Sequence, residues 1–288
     1  MRSIYAMFML SLLFLLIGCV QSNSGLDPTK FWQDGYCRQS CTRTQEEGAE
    51  VVKAKIEGKW KEFKLVEFHQ EFMDWNLSRR METIKLFQAM MKGDKNVQGP
   101  ELAGPHNGIV ATYGFKRDDT NFSLNNAVKG MGFLPKRERI VDVIKMLEES
   151  LEAPMPVRLE KLEFLYQNAD SIFAFDKQIS LELYSKPEFM TQTFLNQMVN
   201  PVSTIVFLDI PSFKLKTITR LLHPDDPELS DYEKNIVNYI NLMHSFFHGR
   251  FSKDFIAVIY YVVEIYDNSP MGQDPESGMG RRVVPALP

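Results

Sequence analysis

Apolar positions recur along this chain mostly at helical spacing. Between residues 44 and 92, Ile56, Trp60 and Phe63 lie at i, i+4 and i+7. Phe68, Phe72 and Trp75 repeat that spacing, as do Leu77, Met81 and Ile84, and no proline interrupts them. The three triads do not share one stripe, because the step from Ile56 to Phe68 turns a 3.6-residue helix by about 120°. The pattern predicts a helix that is buried on several sides or broken near Asn76-Leu77-Ser78, with Gly93 as its stop. Residues 93–110 crowd glycine, proline and Asn107-Gly108 together, and they mark an internal boundary with a short strand at Ile109–Phe115.

Further helices are predicted from Pro135 to Ser150, near 157–168, and from Ser185 to Val199. Ser203–Leu208 has the length of a buried strand. Ser230 caps a helix to His248, with Glu233 completing a capping box and Gly249 closing it. Phe255–Tyr266 carries six β-branched residues and fits a core strand or a buried helix. The tail from Asn268 to Pro288 holds four prolines and few apolar residues and reads as disordered. The expected fold is therefore mainly α: a helical globular domain over 31–267, with a small sheet from residues near 109–115, 203–209 and 255–263.

The amino terminus has a different pattern. Arg2 is the only charge in the first 26 residues, and an apolar run broken only by Ser11 follows from Ile4 to Ile17. Fourteen residues fall short of the roughly 20 needed to cross a bilayer, which fits a secretory signal. Leu16-Ile17-Gly18-Cys19 resembles the lipobox of bacterial lipoproteins. The resemblance implies a signal peptide over 1–18 and lipidation of Cys19 by diacylglycerol and a further acyl chain such as palmitate. It also implies a polar tether over 19–30, and a cell-envelope address with the bilayer as a partner. Several chains on one residue anchor stably where one is marginal. Val20, where an Asp would signal inner-membrane retention, favours the outer membrane. An uncleaved signal-anchor is the alternative.

Removing 18 residues from 288 leaves 270, enough for one large domain or two small ones. The net charge of −4 and the lack of a long basic run give nucleic-acid binding no electrostatic support. With Cys19 assigned to lipid, Cys37 and Cys41 form an even pair in an oxidising compartment, and a disulfide is expected. On a helical turn their Cα atoms would lie about 6 Å apart, within bonding range. A redox or copper-binding dithiol is the alternative, although no strand precedes Cys37 and the spacing is not Cys-x-x-Cys.

His244 and His248 stand one helical turn apart on the flank of an apolar stripe. That spacing suits a divalent metal, with His223, Asp225 and Asp226 as further ligands. It equally suits two surface imidazoles at a helix carboxyl end. Ser245 follows His244, so the zinc-protease glutamate is missing. The carboxylate pairs Asp118-Asp119 and Asp225-Asp226 read as solvated turns, and Asp209 as the end of a strand. No phosphate-cradling glycine motif and no Gly-x-Ser-x-Gly elbow occurs. The aromatics Trp60, Phe63, Phe68, Phe72 and Trp75 read as core rather than as a ligand groove. The expected function is a non-enzymatic envelope lipoprotein that binds or scaffolds an envelope protein partner. A metal-dependent enzyme or carrier using His244 and His248, and a thiol–disulfide protein using Cys37 and Cys41, are the alternatives.

Overall fold

The computed structural model describes residues 26–44, 50–94, 99, 101–270 and 278–286. Cys19, the lipobox and the tether up to residue 25 lie outside the described residues.

The chain is not mainly α. About 33% is helical and 32% is strand, and a large antiparallel sheet curls into a half-barrel. After a 3-10 turn at Pro28–Phe31 come β1 (Trp32–Gln33) and β2 (Tyr36–Cys37), which pair with each other. Next are β3 (Thr42–Thr44), β4 (Val51–Ile56) and β5 (Lys59–Lys64), and then α1 (Gln70–Met91). β6 (Asn107–Thr112), β7 (Asn125–Gly130) and β8 (Gly132–Pro135) follow, with α2 (Ile140–Ser150), α3 (Met155–Gln167) and the short α4 (Ala169–Ile172) after them. The rest is β9 (Phe173–Glu182), α5 (Gln192–Val199), β10 (Val202–Phe207), β11 (Phe213–Leu222), α6 (Asp231–His248), β12 (Ile256–Asp267) and β13 (Arg281–Val284). The main sheet runs β7-β6-β10-β11-β12-β9-β8, with β13 paired to β12.

Two kinds of strand escape helical periodicity. The first is the β4–β5 hairpin, where Ile56, Trp60 and Phe63 mimic an amphipathic helix. The chain reverses instead at Glu57-Gly58, both at positive φ (52° and 78°), a conformation that glycine adopts freely. The period-two burial of Val52 and Ala54 then packs against Ile218 of the main sheet in a small cluster separate from the main core, beside Val202 and Tyr261. The second kind is a central strand whose inward face is partly polar. Ser203 Oγ lies 2.7 Å from both Thr217 Oγ1 and Thr219 Oγ1, and all three are buried. Paired hydroxyls satisfy one another in the core, so the alternation that would announce β10 and β11 is blurred.

Helix α1 runs unbroken through Asn76-Leu77-Ser78. Its Phe72 and Trp75 rings pack against Phe207 and Phe213 with centroids 5.4–5.7 Å apart. These aromatics are core, as expected, while Trp60 is partly exposed beneath the Arg43 guanidinium. One hydrophobic cluster holds residues from both sides of 93–110, and the end of that range is already strand β6. Part of the tail read as disordered is strand β13, and the backbone N–H of Gly278 donates to Asp267 Oδ2 at 2.8 Å. The β-branched run at 255–266 is the strand β12.

Candidate functional site

Phe72, Asn76, Arg80 and Ile84 follow one another at four-residue steps along α1, and all four are buried. The apolar stripe thus carries a polar pair in its middle. Arg80, 1% exposed, saturates its five N–H groups. Nε donates to Asn76 Oδ1 (2.6 Å), and Nη2 donates to the carbonyls of Pro105 and Met131 (3.0 Å each). Nη1 faces His106 Nδ1 (3.2 Å) and donates to the Tyr166 hydroxyl (3.3 Å). The guanidinium also lies over the rings of Phe133 and Tyr166. One side chain therefore joins α1, the loop before β6, the junction of β7 and β8 at Met131, and α3. Close approach completes the junction: a Cβ on Gly108 would meet Ile205 at 2.7 Å and Met131 at 2.9 Å.

Burial, reinforced by the Arg80 charge, pushes His106 down to about 3 from 6.5. The ring is neutral, and because Nη1 is a donor, Nδ1 must accept, so the proton sits on Nε2. Nε2 is covered and has no partner among the described residues.

Arg80, His106 and Tyr166 line a cavity of about 780 Å³ between α1, the 101–107 loop, β7, β8, β9 and α6. Its walls are apolar, with Phe87, Met131, Ile179, Leu181, Ile240 and Met243 prominent. The other charged lining groups are paired. Arg79 reaches Glu82, Glu101 and Asp209, and Lys129 Nζ lies 2.7 Å from the buried Glu182. Such a volume, with apolar walls and a few polar groups at one place, is typical of small-molecule sites.

The residues singled out from the sequence are distributed differently. His244 and His248 line the same cavity, with ring centroids 4.6 Å apart, and His244 stacks on Phe251 at 5.0 Å. The expected further ligands are engaged elsewhere. Asp226 pairs with Arg38, and His223 Nδ1 accepts from the Asp225 backbone. Among the described residues no group of three or more His, Cys, Asp or Glu side chains can hold a metal ion. Burial, with the neighbouring His248, lowers His244. Asp209 accepts from Trp75 Nε1 and Arg79 Nε and serves packing.

Cys37 and Cys41 are both buried free thiols, and the residues between them form no helical turn. Burial pushes Cys37 up to about 12 and Cys41 up to about 11. Cys41 Sγ lies 3.5 Å from the carbonyls of Gln197 and Met198. A reactive dithiol needs a lowered thiol pKa, so the environment opposes redox exchange.

Sequence reasoning missed Arg80, His106 and Tyr166. The signal for the first was present, a charged residue on the apolar stripe of a helix. His106 sits in a glycine- and proline-rich loop with no pattern, and Tyr166 sits among ordinary helix residues.

No family model matches the chain, and no curated protein matches it. A solved structure with some likeness is a protein related to general stress protein 26 of B. subtilis (pyridoxinephosphate oxidase family) from Clostridium acetobutylicum. It is 10% identical and covers 68% of this chain and 92% of that chain, with a TM-score of 0.28. A superposition of that quality does not establish a shared fold. Among the described residues no helix is long and apolar enough to cross a membrane.

Proposed function

We propose that this chain is a small-molecule-binding domain of the cell envelope, held at a membrane by acyl chains on Cys19. The observation that carries the binding role is the cavity of about 780 Å³, apolar along its walls and polar where Arg80, His106 and Tyr166 converge. Binding is favoured over acid–base catalysis at this place by the state of His106. Its ring is pushed far below neutrality, and its Nδ1 is occupied by Arg80, so it cannot take up a substrate proton near pH 7. The membrane address rests on the resemblance of residues 16–19 to a lipobox, and the outer membrane is the favoured one.

Two measurements test the two halves. Uptake of the uncharged dye N-phenyl-1-naphthylamine by the mature Cys19→Ser chain, read as fluorescence enhancement, should be weakened by Met243→Trp, which puts a bulkier ring into the cavity wall. Uptake that persists undiminished in a folded Met243→Trp protein places the dye elsewhere and removes the basis of the binding role. In cells, Cys19→Ser should end lipid labelling and release the protein from membranes. A variant that stays membrane-bound would point to an uncleaved anchor.

A further inference from the structure

The polar end of the cavity selects among ligand classes. Arg80 brings a full positive charge into the interior, yet each acceptor around it is neutral: an amide oxygen, a ring nitrogen, a phenol and two carbonyls. Neutral acceptors satisfy the N–H groups but leave the charge itself uncompensated, which is unfavourable in a buried setting. The remaining charged lining groups are engaged in ion pairs of their own, Arg79 with Glu82, Glu101 and Asp209 and Lys129 with Glu182, and none of them is bonded to Arg80. His106 and Tyr166 meet the same nitrogen, Nη1, so each directs its own proton away from Arg80. The imidazole does so by its tautomer, and the phenol does so because its oxygen already accepts. The His106 Nε2–H has no acceptor among the described residues, and a buried donor left so is unfavourable. Two single-proton donors backed by one positive charge match the two oxygens of a carboxylate.

Resting on the binding role proposed above, we infer that the ligand is a single-chain amphiphile with a carboxylate head. The head is held by His106 and Tyr166 in the field of Arg80, and the chain lies against Ile179, Leu181, Ile240 and Met243. Because Arg80 has no free N–H, the guanidinium acts through charge and by bracing the two donors, not by a direct fork. The ligand anion supplies the missing counter-charge, and once the side chains covering Nε2 move aside on binding, its oxygen supplies the acceptor that Nε2 lacks.

Displacement of N-phenyl-1-naphthylamine from the mature Cys19→Ser chain, free of detergent, tests this with dodecanoate, dodecan-1-ol and dodecyltrimethylammonium. Dodecanoate should bind at least about tenfold more tightly than the alcohol, and the cation should not compete. From octanoate to dodecanoate, affinity should rise about fourfold per added methylene. Tyr166→Phe and His106→Phe should each lower dodecanoate affinity by about tenfold and shrink its advantage over the alcohol. Tyr166→Phe removes one oxygen and keeps four of the five Arg80 contacts, so it serves even if His106→Phe does not fold. Equal affinity for acid and alcohol, or a preference unchanged in Tyr166→Phe, overturns the carboxylate assignment and leaves the binding role standing. So does failure of all three compounds to displace a dye that still enters the cavity. Absence of dye uptake overturns both.

Discussion

Arg80 Nη1 lies 3.2 Å from His106 Nδ1, and only one state of the ring permits that contact. A guanidinium nitrogen offers hydrogens alone, so His106 must present a lone pair and stay neutral. Linkage then sets the sign of a pH effect. His106 is pushed down to about 3 in the fold from 6.5, so the unfolded chain takes up a proton that the folded chain refuses. This contribution is fully present above about pH 6.5 and is lost as pH falls toward 3. The slope is at most about 1.4 kcal/mol per pH unit for one such group. Burial lowers His223 and His244 as well, and they act in the same direction. Urea midpoints should fall between pH 7 and pH 5. His106→Gln, which keeps an acceptor for Arg80 and does not titrate, should flatten part of that fall; an unchanged slope would assign it to other groups.

Arg80→Lys should destabilise the protein by about 2–4 kcal/mol, measured by urea unfolding. A lysine has three donors against five, and its point charge cannot reach Asn76, Pro105 and Met131 together. Because Pro105 and His106 lose their anchor, amide exchange in the 101–107 loop should rise more than in β11. A stability loss below 1 kcal/mol would mean that Arg80 is not the junction described.

Cys37 and Cys41 should be silent to thiol reagents in the folded Cys19→Ser protein and should react fully once it is unfolded. Both are buried and held as protonated thiols, and the thiolate is the reacting species. A disulfide would be revealed by the absence of reaction in denaturant until a reductant is added.

Ser230→Ala should cost about 1 kcal/mol. The Ser230 hydroxyl accepts from the Glu233 backbone N–H, and Glu233 returns a bond to the Ser230 N–H. Glu233 also pairs with Arg220 on β11, so Glu233→Ala should cost more than Ser230→Ala. Equal losses in the two variants would leave the Arg220 contact without weight.

The capping box of α6 belongs to what local sequence determined. Ser230, Glu233 and Gly249 act within a few residues of one another, so the helix is legible without its neighbours. The same holds in outline for α2 and α3, and for β12, whose β-branched run favours a pleated chain. Residues 51–64 failed because three aromatic and aliphatic positions fell at helical spacing by coincidence. The turn at Glu57-Gly58 had the stronger claim and lacked only the partner surface at Ile218 that makes the hairpin worth forming. The sheet as a whole failed for a related reason. Ser203, Thr217 and Thr219 are core residues only because they face one another across strands, and that pairing is a tertiary fact.

The site lies further still from local sequence. Arg80 and Asn76 were visible as polar residues on an apolar stripe. That the charge would be met by His106 and Tyr166, from a loop and a helix far along the chain, depended on α1, α3 and β8 packing around it. Capping and turn signals travel a few residues and can be read in order. The ionisation state of a histidine and the shape of a cavity depend on what surrounds them, and here only the folded chain decides that.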